Sequence, residues 1–126
     1  MKLRMVMAAG IVLASAAAPS AHHTVSDFFD TTKLVTLQGT LTRVDWRAPH
    51  VILRLETRRA DGSTIGWSLE TQTPQALERA GLGLDAFKVG GAFSATVCVA
   101  RDGTRWAVTH EIAKPGGPAA VSVGGC

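Results

Sequence analysis

Alternation of apolar and polar side chains organises most of the chain between Leu34 and Ala113. In "LVTLQGTLTRVDW", Val35, Leu37, Gly39 and Leu41 alternate with polar residues, the period of a half-buried strand. The parity then shifts to Val44 and Trp46, which predicts a bulge or bend near Thr42 or Arg43. Gly39 in mid-strand fits a sharply coiled barrel strand. "VILRLETRR" places Val51, Leu53 and Leu55 on one face and Arg54, Glu56 and Arg58 on the other. After a turn at Asp61-Gly62, "TIGWSLET" points Ile65, Trp67 and Leu69 inward and Ser68 and Glu70 outward. Two later strands, "AFSATVCVA" and "RWAVTHEIA", flank an Asp102-Gly103 turn. Phe93, Ala95, Val97 and Val99 share one face of the first, and Trp106, Val108, His110 and Ile112 one face of the second.

One segment has the signals of a helix. In "TPQALERAG", Thr73 can cap, Pro74 suits the first helical position and Gly81 suits the stop. The order strand, strand, strand, helix, strand, strand, with a long bent first strand, predicts a mainly β fold. It is the plan of a small five-stranded OB-fold-like barrel with one helix between strands 3 and 4. A small β-sandwich or open sheet with one helix is the alternative. The expected core is Val35, Leu37, Leu41, Val44, Leu53, Leu55, Leu69, Phe93, Val97 and Val108.

The first twenty residues stand outside this pattern. Lys2 and Arg4 form a basic start, Met5 to Ala14 an apolar stretch, and Ser15 to Ala21 a run rich in small residues. These are the parts of a secretory signal peptide. The apolar stretch is shorter than the roughly 20 residues that span a bilayer, so no membrane anchor is expected in the mature chain. Cleavage after Ser20 leaves Ala21 as the new N-terminus, and cleavage after Ala21 leaves His22. The expected organisation is a signal peptide at 1–20, an arm at 21–33, the barrel at 34–113 and a flexible Gly/Pro-rich tail at 114–126. The expected location is the bacterial periplasm or beyond it.

Removing the signal changes the charge. Lys2 and Arg4 leave with it, so eleven of the 13 basic residues face 10 acidic ones, about +1 rather than +3. No electrostatic footprint for nucleic acid remains. All three methionines (Met1, Met5 and Met7) leave too, which excludes a thioether Cu(I) site. Cys98 and Cys126 are the only cysteines. An oxidising compartment lets them pair, and a free tail cysteine stays equally open. Cys98 has the parity of Ser94 and Thr96, so a bridge requires the tail to fold back onto the outer face.

No catalytic constellation is recognisable. Cys98 has no base beside it, no Ser/His/Asp set has local context, and "GLG" and "VGG" lack phosphate-loop spacing. His22, His23, His50 and His110 are the histidines, and imidazole suits Cu(II), Zn(II) and Ni(II). With Ala21 leading, the amine, two amides and the His23 ring can chelate Cu(II); with His22 leading, its amine and ring form a two-nitrogen pincer. The alternative for this pair is a solvated polar arm. In "WRAPH", Pro49 rigidifies the corner that carries Trp46 and His50, and in "WSLE", Glu70 faces outward after Trp67. His110, beside Trp106 and Val108, has the position of a core histidine.

"AHHTVSDFFD", "VTLQGTLTRVDWRAPH" and "WSLETQTPQALERAGL" together resemble an uncharacterised family of small exported bacterial proteins, domain of unknown function family 6152. The family's pattern is Ala-His-His-Ser, Phe-Asp, Leu-x-Gly, Trp-x-Asn-Pro-His, Trp-x-x-Glu and a helix ending in Arg-x-Gly. Thr24 and Ala48 depart from it, standing for Ser and Asn. The resemblance implies attention to His22, His23, Trp46, Pro49, His50, Trp67 and Glu70, and brings no established activity. The resulting expectation is a non-enzymatic exported binding module. Its ligand would be a divalent metal, copper favoured and zinc next, held by His22, His23 and His50 with Glu70 as a fourth ligand or an orienting partner. The alternative is an interaction module that receives a small molecule, glycan or partner protein in a groove near Trp46, Pro49 and Trp67.

Overall fold

In the computed structural model, which describes residues 24–117 and 119–126, β1 (Val35–Asp45) changes partner partway along its length. Val35 to Thr40 pair antiparallel with β4 (Ala92–Val99), and Thr40 to Asp45 with β2 (Ile52–Arg58). Thr40 alone belongs to both ladders. Gly39 sits beside it because β2 crosses there so closely that a Cβ would fall inside the Glu56 carbonyl. The predicted bulge is at Thr42, the extra residue between the Leu41–Leu55 and Arg43–Arg54 pairs.

β2 continues to β3 (Thr64–Glu70), and β4 to β5 (Trp106–Ala113), both antiparallel. Ser68 to Glu70 then pair in parallel with Trp106 to Val108 and close the ring. The cyclic order β1-β2-β3-β5-β4 is a closed five-stranded barrel of the OB-fold plan. Helix α2 (Pro74–Arg79) lies between β3 and β4, with the Thr73 hydroxyl accepting from Ala76 N at 3.1 Å. A 3-10 turn, Leu84–Ala86, follows it.

The core is filled by Leu41, Val51, Leu53, Leu55, Leu69, Leu77, Leu82, Val97 and Ile112. Of the other expected core residues, Leu37 is buried, while Val35, Val44 and Phe93 pack against the core half-buried. Val108 is buried in a different place. It joins Phe29, Cys98, Ala100 and Cys126 in a second cluster, on the parity opposite to the core.

The reason is a bulge in β5. Val97 pairs with Thr109 and Thr96 with Glu111, so His110 is the extra residue and the inward parity flips there. Ala107, Thr109 and Ile112 face the core instead of the single face from Trp106 to Ile112 that alternation predicts.

The second cluster also corrects the two ends of the chain. The segment expected as an open arm carries a short helix, α1 (Val25–Phe28), and buries Phe29 edge-on against Trp106 at 4.7 Å between ring centroids. The segment expected as a flexible tail carries β6 (Ala120–Ser122), paired with Glu111 to Ala113 of β5. Val123 is buried and its N–H donates to His110 O at 2.9 Å. Gly125 lies so close to the Thr109 carbonyl that no side chain fits, and Cys126 is bonded to Cys98. Gly125 thus serves close backbone approach, while Gly116 and Gly124 take up positive φ in open space.

One local device recurs three times. The carboxylates of Asp30, Asp61 and Asp102 accept from both the backbone N–H and the hydroxyl two residues on, at Thr32, Ser63 and Thr104. These hydroxyls, then the backbone donors, hold all three carboxyls below their ordinary range. A carboxyl depressed in the folded state contributes stability above its unfolded pKa and loses it as pH falls through the folded one. The melting temperature should therefore fall below about pH 4. The triple variant Asp30→Asn, Asp61→Asn, Asp102→Asn should show a shallower fall between pH 5 and 2 in thermal scans. An unchanged slope would remove these turns as acid-sensitive elements.

Candidate functional site

The end of β3 and the start of β2 are locked together by their backbones. Thr71 N donates to Val51 O at 2.9 Å, and Val51 N donates to Gln72 O at 3.0 Å. Val51 points into the core and is fully buried, which forces its neighbour His50 outward. Leu69 and Thr71 are buried in the same way and turn Glu70 outward between them. His50 Nδ1 consequently meets Glu70 Oε1 on the outer face.

The pair is neither sealed nor free. The His50 side chain is 47% exposed and that of Glu70 is 20% exposed. Thr109 supports it from the core side, its hydroxyl donating to Glu70 O at 3.2 Å. A carboxylate can only accept, so Nδ1 carries the proton of the neutral ring and Nε2 keeps the lone pair. This is the arrangement by which a carboxylate orients a metal-ligating histidine.

The other sequence-derived candidates divide. His22 and His23 lie outside the described residues. Trp46 packs against the core, with its ring 5.8 Å from Phe87, so it serves the barrel end rather than an open groove. Pro49 follows a cis peptide bond and is exposed beside His50. Trp67 is half-buried, with the Arg105 guanidinium 5.6 Å from its ring centroid. Its indole Nε1 is buried without a hydrogen-bond partner. Cys98 and Cys126 form a disulfide with 6.3 Å between Cα atoms. His110 occupies the β5 bulge with Nδ1 buried and unpartnered.

A cleft of about 340 Å³ opens beside Trp67, lined also by Arg54, Glu56, Gly66, Ser68 and Arg105. Trp46 does not line this cleft. Arg54 donates to the Ser68 hydroxyl across the β2–β3 pair. Sequence reading missed Arg54, Arg105 and Thr109. The outward parity of Arg54 marks it as surface, and nothing local distinguishes a surface arginine at a cleft from any other. Thr109 becomes an inward residue only through the bulge at His110.

Among the described residues, no three of His, Cys, Asp and Glu are grouped so as to hold a metal ion. His50 and Glu70 form a two-residue element. None of the described helices is long and apolar enough to cross a membrane. No curated protein and no solved structure matches the chain. A family model does match it, over residues 9–109, which take in the His50 corner and the β3 segment that ends in Glu70. On that match, this chain belongs to the family of unknown function DUF6152.

Proposed function

We propose that this protein is an exported, non-enzymatic binding module for a divalent transition metal, with Cu(II) favoured. The observation that carries the reading is the His50–Glu70 pair. The connection into β2 and the end of β3 hold an exposed imidazole against a carboxylate, with Nε2 left as the ligating nitrogen. Imidazole nitrogen suits Cu(II) and Zn(II), and an N-terminal amine with His22 and His23 would supply the remaining nitrogen donors. Phe29 supports this completion of the site. It is anchored against Trp106, and Trp106 pairs with Ser68, two residues before Glu70. His23 is six residues from that anchor, and with α1 occupying Val25–Phe28 of that span its reach is roughly 13 Å.

Calorimetric titration of the processed protein with Cu(II) and Zn(II) tests the reading. Glu70→Ala should weaken binding roughly 10- to 100-fold, the usual loss when an orienting carboxylate is removed. His50→Ala, and His22→Ala with His23→Ala, should each weaken it at least as much. Affinity should fall on acidification, because the ligating rings must be neutral. Equal binding by all variants, or a wild-type dissociation constant above about 100 μM, would end the metal reading.

A second reading, an interaction module, draws on the cleft beside Trp67. Two arginines, a serine hydroxyl and an aromatic edge there suit a polar small molecule or glycan. It predicts that Gly66→Val, which fills the cleft floor, removes ligand binding while His50→Ala leaves it intact.

A further inference from the structure

A separate cleft, also about 340 Å³, shares no lining residue with the one beside Trp67. Leu41 of β1, Phe93 of β4, Ala86 of the 3-10 turn and Ala113 at the end of β5 make its lining mainly apolar. Lys88, from the connection into β4, and Lys114, from the β5–β6 turn, also line it, and the Lys114 Nζ lies 3.9 Å from where a Cβ on Gly81 would stand. No acidic residue lines the cleft, and among the described residues neither lysine is in a salt bridge.

The surroundings are built rather than incidental. The connection that carries Lys88 is tied to β1, with Gly90 N donating to Leu41 O at 2.7 Å and Leu41 N to Gly91 O at 3.0 Å. The turn that carries Lys114 is closed by its own N–H donating to Ala119 O at 2.9 Å. The short side chains of Ala86, Ala92 and Ala113 leave the space that larger residues would fill.

We infer that this cleft binds a free medium-chain carboxylate, its alkyl chain over Phe93, Ala86 and Ala113 and its carboxylate held by Lys88 and Lys114. A simple inorganic anion would leave the apolar lining in water. A neutral hydrocarbon would leave both ammonium groups without a partner. Only a ligand with both parts satisfies the whole surface. The volume is at the small end of the roughly 300–1,000 Å³ typical of ligand sites, so one short chain fits better than a two-chain lipid. This site is independent of His50 and Glu70, so its failure and that of the metal reading are distinguishable.

Decanoate, kept below its micellar concentration, is the probe, titrated into isotope-labelled full mature chain and followed by NMR. The expected result is saturable shifts centred on the methyl groups of Ala86, Ala92 and Ala113. The double variant Lys88→Gln, Lys114→Gln should weaken binding roughly tenfold, as loss of two exposed ion pairs allows. Both lysines are exposed, so that variant should keep its fold. Ala92→Trp should abolish binding by filling the cleft, with the dispersion of the spectrum reporting that the barrel is intact. Decyltrimethylammonium should not saturate. Absence of saturable shifts, shifts centred elsewhere, full binding by the lysine variant or equal binding of the cationic probe would each overturn the assignment.

Discussion

Gly39→Val should lose about 3 kcal/mol or more of folding stability, enough to unfold a large fraction of a domain this small. The clash is with backbone, not with a side chain that can swing away. A Cβ at position 39 falls inside the Glu56 carbonyl, whose carbon would be only 2.8 Å off and the Thr57 Cα 3.2 Å off. Relief would require β1 and β2 to separate at the point where β1 passes from one partner to the other. Gly39→Ala should already show most of the loss, because the Cβ itself is the offending atom. Gly66 is the control. It too lies in mid-strand, but a Cβ there meets nothing within 4 Å. Gly66→Ala should be neutral or stabilise by about 0.5 kcal/mol, as replacing a strand glycine allows. Urea denaturation of the three proteins decides it, and equal midpoints would refute the crossing-point account.

Removing the Cys98–Cys126 bridge should cost about 3.5 kcal/mol, the chain-entropy value for the loop it closes. For a domain of this size the loss corresponds to a fall of roughly 15–25 °C in melting temperature. The effect should also be local in a defined way. Cys98 is fully buried with Phe29, Ala100 and Val108, so the bridge fastens the chain end over the cluster that also holds the N-terminal segment. The variant Cys98→Ala, Cys126→Ser should therefore lose amide protection first at Val123 and Gly125, whose N–H groups donate to His110 and Thr109. Reductant added to the wild type should reproduce the change. Two titratable thiols in protein purified without reductant would show that the bridge does not form.

Which features were legible from the sequence follows from how local their causes are. Alternation set the inward faces of β2 and β3, because each strand keeps one parity throughout, with Leu53 and Leu55 inward in β2 and Ile52 its one apolar residue on the other face. The Thr73 cap, Pro74 and Gly81 bounded α2 for the same reason, since each acts within one turn of itself. The parity change after Leu41 was a visible sign of the Thr42 bulge. In β5 the matching sign was hidden. Val108 and Ile112 are both apolar, so the pattern reads as one unbroken face, although the first packs outside the barrel and the second inside.

The candidate site divides along the same line. The sequence by itself determined that Glu70 would face outward, since Leu69 had to face in, and put His50 at the rigid corner before β2. Only the tertiary structure decided that they meet, because that depends on the β2–β3 register and on the bonds between Val51, Thr71 and Gln72. It likewise decided that Trp46 is spent on Phe87 while Trp67 borders a cleft, and that the glycine-rich end is a docked strand rather than a tail. Composition reports the freedom a glycine has, and only its neighbours in space decide whether that freedom is used to move or to fit closely.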